Sequence, residues 1–253
     1  MIRTAATCGA VLVLYAVPAA AQTTMTPWRD IVFLNISPAA QSSTKEISAD
    51  FVFPYEEEDA TVGVTRTVKG SSFFDVTVGA ALVNNIGAAL SIFTRSAASD
   101  GTLTASVPDP AQFNVPRNVT ATLGGMAHRE TWVGIQGVYG FGVGPKLDVM
   151  VLGGPAVAKV EHDVVSGTPT VTETGSRPNP RVNVNVVRAS KSFWGFMVGA
   201  DVRYMLATVA GGKLGIGVGG FFRFASAPGS LDDGGPTLDV GGPQFGGGLR
   251  IRY

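Results

Sequence analysis

Apolar side chains recur at every second position through four separate stretches of this chain. In FFDVTVGAALV (73–83), Phe74, Val76, Val78, Ala80 and Leu82 fall on one side, with Asp75, Thr77, Gly79 and Ala81 on the other. NIGAALSIFTR (85–95), FWGFMVGADVRYML (193–206) and KLGIGVGGFFRF (213–224) repeat the arrangement. An extended chain sends successive side chains to opposite faces, so each stretch has one continuous apolar face. No segment keeps the i, i+3, i+4, i+7 stripe of an amphipathic helix for three turns, and glycine interrupts nearly every apolar run. Beyond residue 21 no apolar run approaches the roughly 20 residues that a membrane helix needs. The chain is therefore built from strands.

The non-apolar faces decide which way those strands look. A sheet facing water would fill them with Lys, Glu and Thr. Here they carry mostly glycine and single charges, in a chain with 33 glycines and only 15% charged residues. Trp194, Tyr204, Phe222, Phe224 and Tyr253 stand on the apolar face near segment ends, where membrane-interface girdles belong. Short turns (83–85, 142–145, 210–212) alternate with longer polar ones (54–59, 108–117, 174–181, 226–236). Together these features predict an all-β fold: an eight-stranded antiparallel up-and-down transmembrane β-barrel, apolar face outward. The eight runs are about 29–53, 60–83, 85–107, 117–141, 145–173, 181–207, 212–225 and 237–253. Several exceed the roughly 9–11 residues that cross a bilayer, so their outer halves should extend beyond the outer leaflet.

The N-terminus reads as an export signal. Arg3 precedes the short apolar stretch 9–17, and Ala19–Ala21 supplies small residues before Gln22. The expected organisation is a signal peptide over 1–21 and one barrel domain over 22–253. Cys8, the sole cysteine, falls inside the signal, so the mature chain has no thiol chemistry and no disulfide. The formal net charge of +0 gives no basic field for nucleic acid.

Alternation aims seven charged side chains inward: Asp75, Arg95, Asp148, Asp201, Arg203, Arg223 and Arg250. Charges in a narrow lumen are costly unless paired, and three acids against four arginines come close to neutrality. The expectation is a lumen plugged by ion pairs, with Asp201 and Arg203 neighbouring Arg223 and Arg250 on consecutive strands. His128 and His162 read as polar side chains on solvated outer strand halves, since no serine motif or further ligand accompanies them. The acidic run Glu56–Asp59 reads as a solvated loop tip. No cofactor, metal site or catalytic residue is expected.

In the closing GGGLRIRY, Leu249, Ile251 and Tyr253 share the lipid side, while Arg250 and Arg252 face the interior. A last strand of this kind resembles the assembly signal of bacterial outer-membrane proteins. With FDVTVGAALVNNIGAALSIF, MVLGGP and VGADVRYML, the mature chain resembles the small outer-membrane β-barrels of the OmpA, OmpX and OmpW kind. The resemblance implies residence in the bacterial outer membrane after export, insertion by the barrel-assembly machinery, and outer-membrane lipid and lipopolysaccharide as surroundings. A monomer is expected. The functional expectation is a structural or surface-interacting barrel and not an enzyme. A conduit for small solutes or hydrophobic ligands stands second, and a lipid-modifying barrel enzyme a distant third.

Overall fold

In a computed structural model, the protein is described over residues 25–173, 180–209, 213–230 and 237–253. The expected signal segment 1–21 and its cleavage point lie outside these residues, as do the turn 210–212 and most of the loop 174–181. The described residues form eleven strands: β1 (Met25–Pro27), β2 (Val32–Gln41), β3 (Lys45–Tyr55), β4 (Glu58–Val68), β5 (Ser72–Val83), β6 (Ile86–Asp109), β7 (Gln112–Val143), β8 (Leu147–Thr172), β9 (Arg181–Val209), β10 (Leu214–Ser230) and β11 (Thr237–Arg252).

Eight of them close a ring. Antiparallel ladders run β2–β5–β6–β7–β8–β9–β10–β11, and β11 returns to β2 through pairs such as Leu249 with Ile36 and Ile251 with Leu34. Closure satisfies backbone groups that an open sheet would leave at its edges. The ends carrying both termini are joined by tight turns. Asn84, at φ 48°, turns β5 into β6, and Gly144, at φ 77°, turns β7 into β8. Asn and Gly enter the left-handed region at little cost.

The structure corrects the expected strand list in two places. The runs 29–53 and 60–83 are each broken, at 42–44 and 69–71, so only β2 and β5 belong to the ring. The residues between them fold as a β3–β4 hairpin, and β4 pairs with the far half of β6, from Thr61 with Ser106 to Arg66 with Gly101. The break follows from length: β6 and β7 pair from Ile86 with Tyr139 out to Asp109 with Gln112 and outrun their neighbours. The hairpin covers the free edge of β6 that results. Second, the presumed loop 108–117 is only a two-residue turn, and β10 continues to Ser230. The long polar stretches are strands because their alternate positions carry Val62, Val64, Leu103, Ala105 and Val107, which fill an apolar core in the outer sheet.

The faces divide as the alternation required. On the ring's outside stand Phe74, Val78, Leu90, Ile135, Val198, Val218 and Leu249, with Trp194 76% exposed. Their strand neighbours Asp75, Ser91, Gln136, Met197 and Arg250 are buried inside. The exposed surface of the ring is thus apolar, and its buried polar and charged side chains lie inside the ring.

Candidate functional site in the barrel lumen

The interior is built in layers. At the terminal end, Trp28 packs with Phe33, Ala89, Val138, Met150 and Leu152. The segment before β2 puts it there. β1 pairs with the end of β7, and the Trp28 amide donates to Asn85 Oδ1 at 3.2 Å. Gly140 makes room for the indole, since a Cβ at that position would lie 2.8 Å from the ring. The Trp28 Nε1–H donates to Asp30 Oδ2 at 2.9 Å.

Beside this layer lies a charge cluster. Arg203 approaches Asp30 Oδ2 at 2.5 Å and Asp148 Oδ2 at 3.7 Å, neither contact aligned as a hydrogen bond. Arg252 donates to Asp148 Oδ2 at 2.8 Å. The Arg203 guanidinium also sits 5.5 Å from the centre of the Phe33 ring, within cation–π range.

The middle layer joins strands around the ring. Arg250 donates to both oxygens of Asp201, at 3.2 and 2.7 Å, and to Ser37 Oγ at 2.7 Å. Arg223 donates to Asp75 Oδ2 at 2.6 Å and to Gln244 Oε1 at 2.9 Å, with its guanidinium 4.7 Å from the Phe93 ring centre. Thr77 links Asp75 to Ser91, which donates to Gln136, while Gln244 donates to Gln41. Seven of the eight ring strands are thereby tied across the lumen by side chains alone. The space left among them is about 20 Å³, room for on the order of one water. Beyond it, Phe73, Phe93, Trp132, Phe193 and Met197 form a second apolar layer.

A polar neck separates that layer from the core of the outer sheet. Glu130, fully buried, bonds Arg95 and accepts from Trp132 Nε1 at 2.9 Å and from His128 Nε2 at 2.8 Å. The Nδ1 atoms of His128 and His162 meet at 2.9 Å, a contact that holds only while one carries a proton and the other does not. Burial, together with the charges of His128 and Arg66, depresses the pKa of His162 to about 3, so its imidazole is neutral. Burial opposes ionisation of Glu130, but hydrogen bonds from His128 and Arg95 and their charges outweigh it and bring its pKa to about 2. The reading of His128 and His162 as solvated side chains is corrected here: both are 2% exposed. Opposed positions on β7 and β8 bring the two rings together inside the barrel.

All seven expected charges are buried in the interior. Asp201 pairs with Arg250, one of its expected neighbours, whereas Arg203 lies against Asp30 and Asp148 and Arg223 against Asp75. Sequence reasoning missed Asp30, which answers Arg203, and the pairing of Glu130 with Arg95. Asp30 precedes the first ring strand. Glu130 stands two residues from His128 at the same parity, a signal that strand alternation supplies. In the acidic run, Glu56, Glu57 and Asp59 are exposed, while Glu58 accepts from the Asn114 amide at 2.6 Å and ties the β3–β4 turn to its neighbour. Of the closing residues, Leu249 and Tyr253 are exposed on the outside and Ile251 is half-buried.

No family model matches the chain, and no curated protein matches it. Among solved structures, the outer membrane protein OprG from Pseudomonas aeruginosa aligns at a TM-score of 0.44 and 10% identity, over 88% of this chain and 95% of that one. A likeness at that level settles neither fold nor function, which here rest on the ring, its faces and its interior.

Proposed function

We propose that the protein is an integral barrel of the bacterial outer membrane, closed to solutes, that serves as a wall element presenting its outer sheet at the cell surface. The observation that carries this reading is the filled lumen. Two apolar layers enclose paired charges, and the gap between them measures about 20 Å³. An eight-stranded ring is just wide enough for side chains to fill it.

Membrane residence is supported by the ring's outer surface, whose apolar side chains continue from strand to strand. Water-soluble monomers rarely expose apolar patches beyond a few hundred Å². A closed antiparallel ring with this belt is one of the two structures that satisfy backbone hydrogen bonds inside lipid. The export-like N-terminus and the aromatic-ended last strand favour the outer membrane.

Cell fractionation with a gel-mobility assay tests the proposal. The protein should pellet with the outer membrane, resist detergent until boiled, and migrate differently before and after boiling. Recovery in the soluble periplasm with identical mobility in both samples would refute it.

A further inference from the structure

On the outside of β6, β7 and β8, three chemistries follow one another along the strands. Ile92, Val133 and Val157 share a register row that belongs to the apolar belt. One step outward come Thr94, Thr131 and Lys159. The next positions bring Arg129, Glu161 and Arg188 around a surface groove of about 350 Å³ that also includes Ser96. Lys159 is held by Glu161 at 3.1 Å and Arg188 by Asp163 at 3.0 Å. Arg129 is exposed and, among the described residues, makes no ion pair. The band carries three cations against two acids.

Farther out, the same face of β3, β4, β6 and β7 changes again. One register row reads Asp50, Gly63, Thr104, Thr120, and the rows beside it add Thr65, Thr102 and Thr122 and then Thr61, Ser106 and Asn118. The first and last of these rows line a second groove, of about 610 Å³. Gly63 leaves its floor open between Asp50 and Thr104, since a Cβ there would lie 3.1 Å from the Asp50 carboxylate and 3.3 Å from the Thr104 hydroxyl. Hydroxyls and an amide around a single carboxylate, with no cation, supply neutral donors and acceptors in a flat array.

We infer that this face is a seat for one amphiphile, a lipopolysaccharide molecule of the outer leaflet. Its acyl chains would lie on the belt, a phosphate between Arg129 and Arg188, and its sugars along the threonine rows. The inference rests on the outer-membrane reading above. Continuity argues for a single occupant: the belt, the cation band and the hydroxyl array share the outward side of β6 and β7, in the order in which lipopolysaccharide presents acyl chain, phosphate and saccharide. A guanidinium pair suits a phosphate, through charge-assisted and often bidentate hydrogen bonds. Neutral hydroxyl and amide groups suit sugar hydroxyls.

The test uses the full mature chain refolded into phosphatidylcholine vesicles, with insertion verified by heat-dependent gel mobility. Binding is measured to three probes: intact lipopolysaccharide, its dephosphorylated form, and a form truncated to its innermost sugars. Phosphatidylglycerol serves as the anionic control. Arg129→Ala should weaken intact lipopolysaccharide about tenfold, the scale of one lost charge-assisted hydrogen bond, and leave the dephosphorylated form unchanged. The pair Thr104→Val and Thr120→Val keeps side-chain shape and strand preference. It should weaken the intact form and leave the truncated one unchanged. A protein that inserts with normal heat-modifiability but binds lipopolysaccharide no better than phosphatidylglycerol would overturn this inference alone. Equal weakening of all probes by either variant would overturn it too. Failure to insert would instead overturn the barrel reading on which it rests.

Discussion

Replacing Asp201 with alanine removes the partner of Arg250 and leaves that cation where water does not reach. Arg250 is fully buried, and after the substitution its remaining contacts are Ser37 Oγ at 2.7 Å and the Leu249 carbonyl at 3.1 Å. Breaking a buried pair by deleting one member costs about 3–5 kcal/mol, because the other charge stays unpaired. The neighbouring cavity of about 20 Å³ would grow by the lost carboxylate, and an entering water would reduce that cost. Asp201→Asn keeps the shape and an acceptor oxygen, so it should cost less than the alanine. Val198→Ala is the control: it lies on the outside of the same strand and should cost about 1 kcal/mol through lost apolar contact. The assay is urea unfolding of vesicle-refolded protein followed by tryptophan fluorescence, with Trp132 buried inside and Trp194 outside. Midpoint shifts should rank Asp201→Ala above Asp201→Asn, with an unchanged denaturant slope. An Asp201→Ala loss no larger than that of Val198→Ala would refute a dry, paired lumen.

Three further outcomes are expected. As pH falls below 6.5, the unfolded chain protonates His162 while the folded protein, with its pKa at about 3, does not; stability should fall progressively over that interval. Glu130, ionised in the folded state down to about pH 2, should add a loss below pH 4.5, and His162→Gln should flatten the part above it in urea midpoints taken from pH 7.5 to 4. Gly140→Ala should lower stability by about 1–3 kcal/mol in the same urea assay, because the new methyl meets the Trp28 ring at 2.8 Å. Intact-mass measurement of membrane-extracted protein should give a chain beginning at Gln22, and retention of Met1 would contradict the export reading.

Period-two alternation made the ring strands and the identity of the inward charges legible, because it is a local property of the chain. Asp75, Asp201, Arg223 and Arg250 needed only parity to be placed inside. Apart from Asp201 with Arg250, their pairings were not legible. Asp75 and Arg223 are 148 residues apart, and which acid meets which arginine depends on ring closure and register. The β3–β4 hairpin was hidden for a similar reason: its strands have the same pattern as β2 and β5, and only the length mismatch with β6 shows that they leave the ring. His128 and His162 were misjudged because parity alone does not show that β7 and β8 bring the two rings together, and for His162 the flanking Glu161 and Asp163 suggested water. Asp163 instead accepts from the Ala127 amide and Arg188, while His162 turns inward to His128. Trp28 and Asp30 precede the first ring strand, where alternation carries no information about a segment folded back into the barrel mouth.

Single-channel recording across a planar bilayer tests the closed barrel most directly. The full mature chain, refolded and shown to be heat-modifiable, should insert without steady current steps, since paired charges and two apolar layers leave no continuous path for ions. Stable ohmic channels from the unmutated protein would contradict the closed lumen and establish a conduit in its place.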